Sequence, residues 1–522
     1  MSASKIQNAD NQASVLSGSM ALAVVLGGAL LLLLPHIFRK NLVDKDGNPI
    51  PPGPLLRYAF LRRYPERALH AWSKKYGPLF SLWMGNQLFV VISDARVARE
   101  LYVAHGAIFS SRKNYFMKNQ VILRGRGITA SQYGEKWRQH RRIALRPMTP
   151  KAMQAYGHVL DYEARIMIRT LLNETRHVGL PINPTHYVRR YIFNNMLMLA
   201  FGTRTDTTAD PLIERTLALA TEFMGLTDFI EPLQKIPSYE RYRGNRLHDN
   251  FIKVYGAMIL RVKARMDAGE DVPNCLVKTL LDTKEEESLD WEDMCMLAAT
   301  FTIGGVHSTS SIIHWFLALI PSYPEIQARA HEELDRVIGQ ERWPTAEDAQ
   351  SLPYLRAIIK EVQRLHPPFW VPTPHYSTED FVYNGMYIPK DTVVILDCYT
   401  LHHNEERYPD PFTFNPDRYL GDNSSCADSA NLPDAMQRDH WTYGAGRRIC
   451  PGIAPAEQML WLAISRLLWS FTIRETPGEP ISLKEYNGLF GRTPLPYRVE
   501  LTPRHENLSS IVAGEKEITI KF

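Results

Sequence analysis

The sequence is poor in cysteine, and the cysteines it has do not form pairs. Cys275, Cys295, Cys398, Cys426 and Cys450 are odd in number and widely separated, with no C-x-x-C among them. That excludes a zinc knuckle and a thioredoxin-type redox pair, and it fits a reducing compartment. There is no P-loop, and no G-x-G-x-x-G opens a nucleotide fold, so flavin and nicotinamide sites are not expected on this polypeptide. An excess of one charge is missing too: 60 Lys and Arg stand against 56 Asp and Glu. Nothing in that balance calls for a nucleic-acid partner. No internal repeat is visible, and no proline-rich linker follows residue 54. With 45% apolar residues the chain can bury a large core, and residues 55–505 read as one undivided domain.

Long apolar runs are confined to the amino terminus. Met20 to Leu34 carries no polar side chain, and Val15 to Phe38 as a helix measures ~36 Å against a hydrocarbon core of ~30 Å. Arg39, Lys40 and Lys45 follow, whereas only Lys5 precedes, so the body is expected on the cytosolic side. The expected organisation is a short lumenal tail (1–14), a transmembrane anchor (15–38), a basic and proline-rich linker (39–54), the catalytic domain (55–505) and a tail (506–522). A cleaved signal peptide is the competing reading, but its charge asymmetry would run the other way. The sequons at Asn173, Asn423 and Asn507 are then on the wrong side for glycosylation.

Most of the large domain reads as helix. Residues 292–320 are mainly apolar or small and free of proline until Pro321, which predicts a long buried helix. Pro324 starts another, and a third runs from about Pro353 to Leu365, ahead of His366-Pro367-Pro368. Phe381 to Ile388 reads as a hairpin around Asn384-Gly385, followed by a strand at 392–395. The fold class is mainly α with small β-sheets.

The most informative segment is Trp441-Thr-Tyr443-Gly444-Ala445-Gly446-Arg447-Arg448-Ile449-Cys450-Pro451-Gly452, a glycine-rich loop leading into an apolar helix near Ala454. A thiolate ligand needs its charge stabilised, and the free N–H groups of a helix start do that. Glycines allow close approach to a flat macrocycle, and Arg448 is suited to pair with an anionic group. Tyr443, Gly446, Arg448, Cys450 and Gly452 occupy the positions of an aromatic-x-x-Gly-x-Arg-x-Cys-x-Gly loop. The segment resembles that of the cytochrome P-450 superfamily, with Tyr443 in place of the usual Phe. In style it is similar to fungal microsomal members that tailor secondary metabolites, of the O-methylsterigmatocystin oxidoreductase type.

The resemblance implies the cytochrome P-450 fold, haem b as cofactor and Cys450 as axial ligand to its iron. It extends over roughly residues 49–505. Glu361-Val-Gln-Arg364 is an E-x-x-R on the third helix, and Phe414-Asn-Pro416-Asp417-Arg418 resembles the family's P-x-R segment. Together they imply a structural cluster of Glu361, Arg364 and Arg418. Trp137 and Arg141 match W-x-x-x-R, and with His375 they are implied to contact the haem propionates. Taken without the family, each has a plainer reading: a surface ion pair, a core tryptophan, a solvated basic face.

One segment departs from the family. Where an acid and an alcohol usually follow paired small residues at mid-helix, this chain has Gly304-Gly305-Val306-His307-Ser308-Thr309. Glycines weaken a helix by about 1 kcal/mol each and need a reason to be there. Three readings stay open for the catalytic pair His307 and Ser308. His307 relays protons itself, its ordinary pKa of ~6.5 suiting that work. Alternatively the relay is weakened, and the enzyme favours coupling, ring closure or desaturation. Or the imidazole makes only a structural contact.

The family's substrate-contact regions hold Tyr115, Phe116, Phe223, Met224, Phe229, Ile303, Phe369, Trp370, Val371 and Phe490, an apolar and aromatic set that suits a bulky lipophilic substrate. The expected function is monooxygenation of such a compound, an indole alkaloid or polyketide, at the endoplasmic reticulum membrane. Expected partners are O2, membrane lipid, an NADPH–cytochrome reductase and cytochrome b5 as a further electron donor, with Arg447 and Arg448 as positive charge for docking. The alternatives are oxidative C–N, C–C or C–O coupling without oxygen insertion, and a non-enzymatic haem-binding sensor.

Overall fold

A computed structural model describes residues 42–54, 64–84, 87–129, 131–177, 181–219, 228, 234, 238–487 and 492–514. The expected anchor at 15–38 lies outside the described residues, as do Phe223, Met224, Phe229 and Phe490.

Along the chain the elements that position the site are α1 (Pro65–Tyr76), β1 (Leu79–Met84), β2 (Gln87–Ile92), α2 (Glu135–Leu145), α3 (Pro150–His177), α4 (Thr185–Phe201) and α5 (Tyr239–Asp267). There follow α6 (Trp291–Leu319), α7 (Pro324–Val337), α8 (Pro353–Leu365), β3 (His375–Tyr376), β4 (Phe381–Tyr383), β5 (Met386–Ile388) and β6 (Val393–Leu396). Last come α9 (Ile453–Ser470), β7 (Phe471–Glu475), β8 (Tyr486–Asn487), β9 (Thr493–Pro494) and β10 (Val499–Pro503). The three central helices and the hairpin fall where spacing and proline placement put them. The strand expected at 392–395 begins one residue later.

The core is helical. α6 runs through it, packed on α4, α5 and α9, and α3 closes over α4 and α9. A capping box between Asp290 and Asp293 starts α6, and Pro321 ends it. By length and composition α6 would suit a bilayer, but here it is the buried axis of the domain. Its paired glycines differ in use. A Cβ on Gly305 would lie 2.3 Å from Met196 Sδ, so this glycine lets α6 and α4 approach closely; a Cβ on Gly304 would meet no protein atom within 4 Å.

The main sheet has the order β1-β2-β6-β3. β2 and β6 are parallel, with Phe89 opposite Val393; β3 is antiparallel to β6, with His375 opposite Val394. This pairing fixes His375 although it lies in a two-residue strand. The hairpin turns through Asn384 (φ 48°) and Gly385 (φ 73°), both left-handed as a two-residue turn requires. The proline segment expected as a spacer is docked instead. Ser81 donates its N–H to Pro52 O (2.8 Å) and its hydroxyl to Pro51 O (2.6 Å), and a Cβ on Gly53 would overlap Ser81 O.

α8 begins at Pro353 under the carboxylate of Glu333, which accepts from the N–H groups of Tyr354 and Leu355 at 3.0 Å each. The orphan donors of the helix start are thereby satisfied from α7.

Candidate functional site

Four of the five cysteines are buried; Cys450 alone is partly exposed. The loop that carries it folds back on itself, with the Cys450 N–H donating to Tyr443 O at 2.9 Å. Gly444 and Gly446 take φ of 70° and 63°. A Cβ on Gly446 would fall 1.9 Å from Tyr102 O, so close backbone approach to residue 102 demands this glycine. α9 starts three residues after Cys450, and the Gly452 N–H points at its sulfur at 3.4 Å. Burial pushes the Cys450 thiol up, while Gly452 N–H and Arg141 pull it down. Cys426 differs. It is enclosed by Asp439, His440 and Glu457, and burial together with the two carboxyl groups holds its thiol well above the ordinary range.

Beside Cys450 lies a group of buried cations. Arg448 is turned inward. Its guanidinium donates to Ser110 O at 2.8 Å, Ile128 O at 3.2 Å and Ser131 O, and lies 4.2 Å over the ring of Trp137. It is therefore not a docking charge, as the sequence had suggested; Arg447 is the exposed one of the pair, bonded to Tyr133. Trp137 donates to Ile128 O at 3.0 Å, and Arg141 to Ile449 O at 2.6 Å, within the cysteine loop. The His375 ring stacks on Tyr102 at 3.8 Å, with Nδ1 2.6 Å from Phe109 O.

Sequence reasoning missed Arg112, which has no spacing motif to mark it. It is buried, donating to Thr373 O (2.7 Å) and Pro374 O (2.8 Å) just before His375. Burial pushes its guanidinium down to about 10. Burial and the nearby Arg112 and Arg141 push that of Arg448 down to about 8. Among the described residues, the groups acting on Arg112, Arg141, Arg448 and His375 are one another, tyrosines, Cys450 and the Phe109 carbonyl, with no Asp or Glu side chain. Guanidinium does not shed its proton in proteins, so such a cluster needs an anion from elsewhere. Iron porphyrin fits this set: a cysteine that is only partly buried, cations short of two carboxylates, and Gly304 facing space clear of protein atoms.

Behind the loop, Glu361 and Arg364 form a bidentate pair at 2.7 Å, fully buried, and Arg418 Nε stands 3.3 Å from Glu361 Oε1. Arg364 also donates to His402 O and Pro411 O. The cluster thus joins α8 to residues 402–418. Tyr443 donates to Gln363 Oε1 at 2.7 Å, linking α8 to the cysteine loop.

On α6, the Ser308 hydroxyl donates to Gly304 O at 2.7 Å. His307 is partly buried with Nε2 unpartnered; burial, then Arg189, lower its pKa. Of the apolar set, Ile303 and Phe369 are half-buried, and Phe116 opens a π-helical turn over 116–122. Tyr115 is buried, and Val371 packs against the apolar cluster of main-sheet residues that includes Phe80, Phe89 and Val393. Trp370 is buried edge-on against Tyr399 at 4.8 Å, in core packing.

Comparison with known proteins agrees with this geometry. The cytochrome P-450 family model matches residues 48–501. The chain is 31% identical to the cytochrome P-450 monooxygenase polD of Polytolypa hystricis, over 96% of this chain and 97% of that one. It is 30% identical to the monooxygenase virE of Hypocrea virens (95% and 92%) and 31% identical to atE of Aspergillus terreus (88% of each). A solved zebra fish cytochrome P-450, a structure with progesterone, superposes with a TM-score of 0.72 at 24% identity, covering 85% of this chain and all of that one.

Proposed function

The chain belongs to the cytochrome P-450 family, and from that membership we propose that Cys450 is the axial thiolate of haem b in an enzyme oxidising a lipophilic fungal secondary metabolite. The family binds haem and uses O2 with electrons from redox partners. When bound, the haem supplies oxygen activation, the thiolate's charge favouring O–O cleavage. The protein's own part is to hold that charge. The Gly452 N–H and the start of α9 face the sulfur; Arg112, Arg141, Arg448 and His375, with the indole of Trp137, would hold the propionates. Gly446 and Gly452 let the loop close, and Tyr443 ties it to α8. Ile303, Phe116 and Phe369 border the substrate.

His307 and Ser308 hold protons on the oxygen-facing stretch of α6. Electrons come from a membrane-bound NADPH–cytochrome reductase, with cytochrome b5 as a second donor, docking beside exposed Arg447. The anchor at 15–38 keeps the enzyme on the endoplasmic reticulum, within reach of dissolved substrate. The observation that carries the reading is a partly exposed cysteine next to buried cations that have no carboxylate partner among the described residues.

The test is the carbon monoxide complex of the reduced protein. The unmodified enzyme gives the red-shifted thiolate band and Cys450→Ser abolishes it; a band that survives in Cys450→Ser ends the proposal. The departure at His307 supports a second reading, oxidative coupling without oxygen insertion. Turnover under isotopically heavy dioxygen separates the two, since an unlabelled product means coupling.

A further inference from the structure

A second set of metal-type ligands lies outside the Cys450 loop. Cys426 starts the short helix Cys426–Ser429, and Asp439 and His440 lead into the cysteine loop; all three are buried. Their ligand atoms lie within 4.8 Å of one another. Cys426 Sγ and His440 Nε2 are 3.6 Å apart. Asp439 Oδ1 accepts from the His440 N–H, but Oδ2 is buried with no hydrogen-bond partner. From near the start of α9, the Glu457 carboxylate accepts from the Cys426 N–H at 2.8 Å and also reaches the thiol.

A thiol–imidazole hydrogen bond accounts for the 3.6 Å separation but leaves Asp439 Oδ2 without a hydrogen bond, its one cation the Lys360 ammonium at 3.5 Å, which is already bonded to Asp422. A cation accounts for both. With zinc–sulfur and zinc–nitrogen bonds of about 2.3 and 2.0 Å, tetrahedral ligands sit about 3.5 Å from each other. We propose that Cys426, Asp439 and His440, completed by Glu457, form a structural site for a divalent cation of the zinc class, separate from the haem. One sulfur, one imidazole and two carboxylates suit a borderline-soft ion. Three ligand atoms converge, and Glu457, bonded to the Cys426 N–H, must turn to take the fourth position; that closes the site, as in structural zinc centres.

Binding exchanges the thiol proton for the metal and releases that proton to solvent; no electron moves. Lys360 Nζ is 2.6 Å from Asp422 and 3.5 Å from Asp439 Oδ2, so it keeps Asp422 as its partner when Asp439 turns to the metal. The ion fastens the 426–429 helix and α9 to the residue that precedes Trp441. It thus fixes the entry to the haem loop.

The test uses the haem-loaded, full-length protein without a histidine tag, purified from zinc-supplemented cells. About one zinc per haem is expected by elemental analysis after dialysis against a weak chelator, with one sulfur neighbour in the zinc X-ray absorption spectrum. Cys426→Ser and Asp439→Asn should each lower zinc content at least ~tenfold, while Cys398→Ser, a buried thiol outside the set, keeps it. Less than about a tenth of a zinc per haem in the unmodified protein, no sulfur in its spectrum, or zinc retained by Cys426→Ser overturns the proposal. The first two readouts need no variant to fold. The carbon monoxide band reports on Cys450 separately, so failure of one reading leaves the other standing.

Discussion

Replacing Arg448 with Met tests whether the buried cations await an anion. In the haem-free protein Arg448 is pressed by burial, Arg112 and Arg141, and among the described residues its hydrogen-bond acceptors are all backbone carbonyls. Arg448→Met removes that repulsion and also strips donors from Ser110, Ile128 and Ser131, whose carbonyls lose them with or without haem. That loss cancels in haem affinity. The propionate contact does not cancel: a charge-assisted hydrogen bond is worth about 1.5–3 kcal/mol, so the variant should hold haem roughly 10- to 150-fold more weakly.

The assay is haem transfer to an excess of apo-globin, run with protoporphyrin haem and with its propionate dimethyl ester. The unmodified protein should prefer the diacid, and Arg448→Met should lose that preference by the same factor. Equal weakening for diacid and ester would mean that the loop has merely collapsed, and would refute the electrostatic reasoning.

Three further outcomes are expected. Glu361→Gln leaves Arg364 and Arg418 buried without a counter-charge and should cost about 3–5 kcal/mol in denaturant unfolding; a loss below ~1 kcal/mol would show the cluster to be self-sufficient. Gly305→Ala should cost about 1–3 kcal/mol by driving a methyl into Met196, and the double variant with Met196→Ala should recover most of it, whereas additive losses argue against the contact. Burial pushes the Asp397 carboxyl up to about 7, so the native state holds a proton that the unfolded chain releases near 3.8. Stability from this group is present at low pH and lost as pH rises through about 7, and Asp397→Asn should flatten that decline in melts across pH 4–8, the Thr400 N–H and hydroxyl bonds to residue 397 being the control.

What the sequence discloses follows from locality. The limits of α6, α7 and α8 are set by prolines and caps inside each segment, and the Asn384-Gly385 turn by two residues. The cysteine loop and the E-x-x-R pair are equally local. Arg112 escapes notice because its role depends on Thr373, Pro374 and Arg448, far away in the chain. The loop motif marks Arg448 as a partner for an anion, but only the fold separates it from Arg447 by showing that it points inward onto Trp137. The docked prolines depend on Ser81, and the two glycines of α6 read alike although one faces Met196 and the other faces open space. Composition and spacing carry no information about which neighbour a side chain will meet across the core.

The contact of Gly305 with Met196 has a mechanical consequence. Here α6 is keyed to α4 through the missing side chain of Gly305, so this stretch of the helix cannot shift toward α4 without moving Met196. Displacement of α6 and repacking of α4 are therefore one event, and any side chain larger than hydrogen at 305 forces both.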